Sequence, residues 1–132
     1  MIALDTNVLV RALITDDPAQ ADAVRAFLEE RTPQDPAYIS ELVLAETFWV
    51  LTRSAGLAKD AVLDAFAALA RSPEICMAAS VPGAIEAARN GADLPDALID
   101  AMAARQGCRT VVSFDRRTAR ALGWTLLTHP TT

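Results

Sequence analysis

A short apolar run that ends in an aspartate is the feature that most constrains the fold of this chain. Residues 1–4 are uncharged and stop at Asp5-Thr6-Asn7, and residues 110–114 repeat the pattern before Asp115. Such runs predict buried parallel strands, and ligands of open α/β sheets lie at the carboxyl ends of these strands. Asp, Thr and Asn are also frequent N-cap residues, so a plainer interpretation is a strand followed by a capped helix.

Stretches with helical spacing fill the intervals between the strand-like runs. Further strands are predicted over residues 37–40, 74–79 and 125–127. Helices are predicted from Asp16-Asp17-Pro18 onward and over residues 8–14, 41–54, 58–71, 81–90, 93–105 and 116–121. This alternation predicts a three-layer α/β/α fold with a central, mostly parallel sheet, although residues 41–71 hold two successive helices. Residues 41–54 are apolar around most of the helix circumference, so we expect them to be largely buried.

The composition indicates one globular domain over residues 1–132. With 52% hydrophobic and 22% charged residues, the chain is unlike a disordered protein. The longest uncharged stretch, residues 121–132, is too short and too polar to span a bilayer, and Asp5 comes too early for a signal peptide. We interpret Cys76 and Cys108 as small buried hydrophobic residues in a reducing cytosol, which predicts a cytoplasmic protein.

Four carboxylates lie where solubility alone does not explain a charge. Asp5 and Asp115 each follow an apolar strand, Glu46 interrupts a nearly all-apolar helix, and Asp96 lies in the first turn of another helix. The positive end of that helix dipole favours an anion. Buried carboxylates require a cation or hydrogen bonds, and arginines would supply structural salt bridges. Carboxylates that converge at one sheet edge would instead require a hard divalent cation, Mg²⁺ or Mn²⁺.

Other residues bear on this metal prediction. Zinc is disfavoured because His129 is the only histidine and the two cysteines form no CxxC pair. Asp93 and Asp100 lie three residues before and four residues after Asp96, on much the same helix face. Asp93 has a plainer interpretation as a helix cap, and Asp100 as a solvated side chain.

Positive charge is concentrated in one segment of an acidic chain. The formal net charge is −5, which argues against a nucleic-acid partner, but residues 105–120 hold five arginines and one acid. That segment carries +4 and the remainder of the chain −9. Because local fields matter more than totals, this strip beside Asp115 suits RNA phosphates, with Arg116, Arg117 and Arg120 as contacts. The alternative is ordinary helix-terminal charge and solvated surface.

Four stretches, in order along the whole chain, resemble the acidic motifs of PIN domains. They are Asp5-Thr6-Asn7-Val8-Leu9, Glu46 in LAETFWVL, Asp96 in DLPDALIDA and Asp115 in VVSFD. The sequence is most similar to VapC-type toxins, the ribonuclease halves of bacterial toxin–antitoxin pairs. The resemblance implies a parallel sheet flanked by helices and a Mg²⁺- or Mn²⁺-dependent endoribonuclease. It also implies inhibition by a small VapB-like antitoxin whose C-terminal segment occupies the active-site groove.

The resemblance also implies roles for individual residues. Asp5, Asp96 and Asp115 would hold a metal ion directly or through water, and Glu46 would bind it or orient and activate the attacking water. A second set of residues would fix these carboxylates or merely cap helices and turns: Thr6, Asn7 and Ser113. Ser113 stands where the family often has threonine. Asp100 stands where a small apolar residue is common, so its metal role stays open.

Three other functions fit parts of the sequence. The first alternative is a non-catalytic, acidic, protein-binding α/β domain whose carboxylates form only salt bridges. A receiver-like phosphoacceptor domain needs a lysine after a later strand, whereas Lys59, the only lysine, begins a predicted helix. A haloacid-type phosphatase needs an aspartate where Asn7 stands. The apolar helices over residues 41–71 are a candidate surface for a homodimer, and the sequence leaves the RNA target open.

Overall fold

A computed structural model describes residues 1–128, which fall into two compact units. The first unit covers residues 1–79 and the second begins at Ser80. Each unit has its own sheet of strands paired in parallel, with helices between successive strands. The predicted α/β class with mostly parallel strands is therefore confirmed. A single domain over residues 1–132 stays a prediction, and His129 lies outside the described residues.

The first unit is a three-stranded sheet with helical crossovers. Its elements are β1 (Ile2–Ala3), α1 (Thr6–Leu13), α2 (Pro18–Glu29), β2 (Ala37–Tyr38), α3 (Glu41–Trp49), a π-helical segment (Val50–Ser54), α4 (Lys59–Ala70) and β3 (Ile75–Cys76). The strand order is β1-β2-β3, with Ile2 opposite Ala37 and Ala37 opposite Ile75. A backbone hydrogen bond of 2.9 Å from the N–H of Leu4 to the carbonyl of Tyr38 extends the pairing to the residue before Asp5.

Side-chain caps fix where the helices of this unit begin. The Asp17 carboxylate accepts from the backbone N–H of Gln20 at 3.2 Å, and Pro18 opens α2. The Ser40 hydroxyl accepts from the N–H of Val43 at 3.2 Å and starts α3. These side chains satisfy N–H groups that have no partner within the helix. The capping signals read from the sequence therefore correspond to real helix starts.

The expectation that residues 41–54 are largely buried is wrong. Phe48 and Thr47 face the core, whereas Leu42 is 67% exposed and Trp49 is 48% exposed. A helix turns its side chains through all directions every 3.6 residues, so packing on one side buries only one stripe. The guanidinium of Arg53 lies 3.6 Å from the centre of the Trp49 ring and covers part of the exposed face.

Two other burial expectations also fail. β1 is an edge strand of its sheet, and both Ile2 and Ala3 are exposed, so it is not the buried strand that its apolar sequence predicts. Cys76 is half-buried and Cys108 is exposed, so neither is a core residue. Cys108 follows Gly107, whose φ of +82° turns the chain at the end of a helix on the protein surface.

The second unit combines a helix pair with a two-stranded sheet. Its elements are α5 (Val81–Arg89), α6 (Leu94–Arg105), β4 (Val112–Ser113), α7 (Arg116–Leu122) and β5 (Thr125–Leu126). α5 packs against α6, and both contribute buried residues such as Ile85 and Leu98. β4 and β5 pair in parallel, with Val112 opposite Thr125. In the part of the chain described, no helix is both long and apolar enough to cross a membrane.

Candidate active site

One threonine joins the two predicted carboxylates of the first unit. Asp5 occupies the N-cap of α1, where its Oδ1 accepts from the backbone N–H of Thr6 at 2.8 Å. The Thr6 hydroxyl donates to Oε2 of Glu46 on α3 at 3.2 Å. Asp5 after the end of β1 and Glu46 in the middle of α3 thus both contact Thr6. Asn7, the next residue of α1, is exposed.

The second unit repeats this arrangement with a different threonine. Asp115 caps α7, and its Oδ1 accepts from the backbone N–H groups of Arg117 at 2.9 Å and Thr118 at 3.1 Å. The Thr118 hydroxyl donates to Oδ2 of Asp96 in the first turn of α6 at 3.2 Å. Thr118 therefore contacts both predicted carboxylates of its unit.

Sequence reasoning missed Thr118. It stands three residues after a helix-capping aspartate, a position where a hydroxyl residue is unremarkable. Its hydroxyl matters because α7 lies against α6, and that contact joins residues 22 positions apart in the chain. No local pattern in the sequence predicts this contact between Thr118 and Asp96.

The four acids are more exposed than the sequence predicted. Asp5, Glu46 and Asp115 are exposed, and Asp96 is half-buried. Two of them cap helices, and a capping carboxylate sits at the helix end where water also reaches. The buried acid of α3 is instead Glu41, 7% exposed. Burial is thus not the reason why these four positions carry charge.

None of the four acids forms an ion pair within residues 1–128. The ion pairs of the first unit use other acids, for example Arg11 with Asp16 at 3.0 Å and Arg31 with Asp35 at 3.0 Å. The donors to the four acids are hydroxyl and backbone N–H groups instead. This observation counts against the interpretation of the acids as structural salt bridges.

The charge on Asp115 is stabilised by its surroundings. The backbone N–H of Thr118 lowers the pKa of the Asp115 carboxyl below its ordinary value of 3.8. The N–H of Arg117, the side chain of Thr118 and the guanidinium charge of Arg117 lower this pKa further. Desolvation acts in the opposite direction but is outweighed. Asp115 is consequently ionised at neutral pH, as a metal-binding carboxylate must be.

The lower-ranked candidates have identifiable structural contacts. The Ser113 hydroxyl accepts from the backbone N–H of Asp115 at 3.0 Å, so it shapes the turn before α7. Asp93 occupies the N-cap position of α6 without a side-chain capping hydrogen bond. Asp100 accepts from the indole N–H of Trp124 at 2.8 Å, which ties α6 to the segment between α7 and β5.

Three arginines of α7 form no ion pair within the described chain. Arg116, Arg117 and Arg120 are exposed, and none of the three makes an ion pair with any residue that the structure describes. They belong to the same short helix that Asp115 caps. A guanidinium without an internal partner can bind an external phosphate.

The donor set suits a hard cation, although no complete cage is present. Among residues 1–128, no three acidic, histidine or cysteine side chains are grouped closely enough to hold a metal ion. Each of the four acids uses one oxygen for hydrogen bonds, and its other oxygen accepts none from the described residues. Mg²⁺ is commonly bound through one or two carboxylates, with water and substrate phosphate as further ligands. Paired carboxylates with an available oxygen each are chemically appropriate for that role.

A well-formed cavity lies elsewhere. It has a volume of about 440 Å³, is lined by residues of α1 and α2 that include Arg11, Val24 and Glu29, and includes none of the four acids.

Comparison with known proteins decides the family. Residues 2–123 match the family model of the PIN domain. This chain belongs to the PIN domain family. The predicted resemblance is confirmed, and the PIN domain spans both compact units.

Two solved structures are similar to this chain. VapC20 from Mycobacterium tuberculosis, described as a sarcin-ricin loop cleaving toxin, is 22% identical over 96% of this chain and 98% of its own, with a TM-score of 0.46. FitAcB from Neisseria gonorrhoeae is 22% identical over 97% of both chains, with a TM-score of 0.37. A comparison with curated proteins found no match to this chain.

The pKa of Asp115 leads to a pH-dependent stability. Because its folded-state pKa lies below 3.8, the ionised carboxylate stabilises the fold above that pH, and this contribution is lost as the pH falls through the folded-state value. Melting temperatures of wild type and Asp115→Asn in chelator should differ at about pH 6, and this difference should shrink as the pH falls below 3.8. A gap that is constant across this range, or a carboxyl NMR titration midpoint above 3.8, would contradict the assignment.

Proposed function

We propose that this PIN domain is a Mg²⁺- or Mn²⁺-dependent endoribonuclease and the toxin of a toxin–antitoxin pair. The family match over residues 2–123 and the four acidic motifs in their expected order support this function. The observation that carries this proposal is how the four acids are bound. They form two pairs, each hydrogen-bonded to one threonine, and none of them makes an ion pair with a described residue.

The proposed roles follow the chemistry of each group. Asp5, Asp96 and Asp115 would hold the ion, directly or through water, with the oxygens that accept no hydrogen bond. A divalent cation bound there supplies a lowered pKa for water and neutralises charge on the phosphate. Glu46 would orient the attacking water and accept its proton through Oε1, because its Oε2 accepts from the Thr6 hydroxyl.

The arginines of α7 would hold the substrate. Arg116, Arg117 and Arg120 provide three exposed guanidinium groups next to Asp115 in the chain. Contacts to phosphates supply affinity that does not depend on sequence and that weakens as salt rises. This local basic surface would allow an acidic protein to bind a polyanion. We propose a cytoplasmic location for this activity, where RNA is present.

The competing function is a non-catalytic, acidic, protein-binding domain. It treats the carboxylates as structural, and their lack of ion pairs in the described residues weighs against it. The receiver-like alternative is weaker, because Lys59 is the first residue of α4 and does not follow a strand.

Cleavage assays separate these functions. RNA cleavage in Mg²⁺ should fall by about 100-fold or more in Asp5→Asn, Glu46→Gln, Asp96→Asn and Asp115→Asn, since each variant removes a metal ligand or the general base. Asp22→Asn is the matched control, because Asp22 is an exposed acid paired with Arg25 at 3.0 Å on α2. It should cleave like wild type.

The controls must also exclude contaminating nucleases. Asp5→Asn protein purified in parallel provides the background rate, and excess chelator should reduce wild type to that background. Wild-type cleavage that persists in chelator, or variants that all retain full activity, would reject the nuclease assignment.

The proposed partners are a small VapB-like antitoxin and a second copy of this chain. Basic side chains of the antitoxin would pair with the acids that have no cation of their own, and the exposed Leu42 and Trp49 of α3 would form the homodimer surface. Co-expression with the neighbouring short reading frame should yield a complex that contains two copies of this chain and has no cleavage activity. Light scattering measures the stoichiometry. An active, monomeric chain that does not bind the protein encoded by the neighbouring reading frame would indicate a free-standing nuclease.

A further inference from the structure

We propose that Thr118 is a positioning residue that sets the carboxylates of Asp96 and Asp115 relative to one another. The inference rests on the proposed metal-dependent function, and it assigns a role to a residue that the acidic motifs do not include. Thr118 touches neither a metal ion nor RNA in this account. It acts through the two acids.

The geometry gives Thr118 two separate donors. Its backbone N–H lies 3.1 Å from Oδ1 of Asp115, and its hydroxyl oxygen lies 3.2 Å from Oδ2 of Asp96. An ionised carboxylate only accepts hydrogen bonds, so the Thr118 hydroxyl is the donor in its contact with Asp96. Thr118 is half-buried, and the branching at its Cβ restricts its χ1 angle to few rotamers.

Asp96 depends on this contact more than Asp115 does. Asp115 also accepts from the N–H of Arg117 at 2.9 Å, so it keeps one donor without Thr118. For Asp96, the Thr118 hydroxyl is the only hydrogen-bond donor among residues 1–128. Loss of the hydroxyl would leave the Asp96 carboxylate without a fixed orientation.

The first unit contains the same device. The N–H of Thr6 lies 2.8 Å from Asp5, and its hydroxyl lies 3.2 Å from Glu46. In both units the amide binds a helix-capping acid and the hydroxyl binds an acid on another helix. The recurrence at two unrelated points of the chain indicates that the threonines organise the acids and do not merely cap helices.

Manganese affinity measures this role without reference to catalysis. Thr118→Val keeps the size, the branched shape and the backbone N–H and removes only the hydroxyl. Loss of an outer contact that orients a ligand typically weakens metal binding 10–100-fold, so the Kd for Mn²⁺ should rise by about tenfold or more. Thr118→Ser restores the hydroxyl and should recover most of the affinity.

A matched control lies in the same unit. The hydroxyl of Thr125 on β5 lies 3.1 Å from that of Thr110 and contacts none of the four acids. Thr125→Val removes a hydroxyl of the same kind and should bind Mn²⁺ like wild type. Isothermal titration of the full chain with Mn²⁺ compares all variants, with Asp96→Asn as the reference for a lost ligand. Thr118→Ala makes the same comparison if the valine variant unfolds.

Two outcomes would overturn the inference and leave the proposed function intact. In the first, Thr118→Val binds Mn²⁺ like wild type while Asp96→Asn has lost affinity. In the second, neither Thr118→Val nor Thr118→Ala folds while Thr118→Ser does, which would make the hydroxyl a determinant of the fold. If wild type and Asp96→Asn bind Mn²⁺ equally poorly, the proposed function fails and the inference fails with it.

Discussion

Like charges repel, and a protein that places carboxylates side by side must hold them there with donors or cations. This PIN domain uses hydrogen-bond donors. In each compact unit one threonine donates a hydrogen bond from its backbone amide to one acid and another from its hydroxyl to a second acid, as Thr6 does for Asp5 and Glu46. Hydroxyl and amide groups fix an orientation without cancelling the negative charge. The paired acids therefore keep the charge that attracts a divalent ion.

Helix capping and ligand binding are compatible because a carboxylate has two oxygens. Asp115 caps α7 through Oδ1, and its Oδ2 accepts no hydrogen bond from any described residue. The capping bonds also keep its pKa low, so capping helps to maintain the ionised form that a metal requires. An acid at a strand end that starts a helix can thus serve the fold and the proposed site together, so the two interpretations of such a motif do not exclude each other.

The sequence predicts the positions of the helices and strands well and the solvent exposure of their side chains poorly. Apolar runs, caps and helix-breaking residues depend on local chemistry, so strand ends at Asp5 and Asp115 and the helix after Ser40 are found where expected. Exposure depends on what packs against an element. The apolar sequence of α3 did not reveal that Trp49 is 48% exposed or that Glu46 faces solvent. Thr118 was missed because its role exists only where α7 meets α6.

Thermal melts with and without Mn²⁺ test most directly whether the acids form a metal site. At an Mn²⁺ concentration of 100 times the Kd, native-state binding should stabilise wild type by about 2.7 kcal/mol, which is a rise in melting temperature of about 8 °C for a domain of this size. Asp96→Asn in chelator should melt at or above wild type, because it removes a repelling charge, and Mn²⁺ should leave it unchanged. A wild type indifferent to Mn²⁺ together with a destabilised Asp96→Asn would show that the acids are structural.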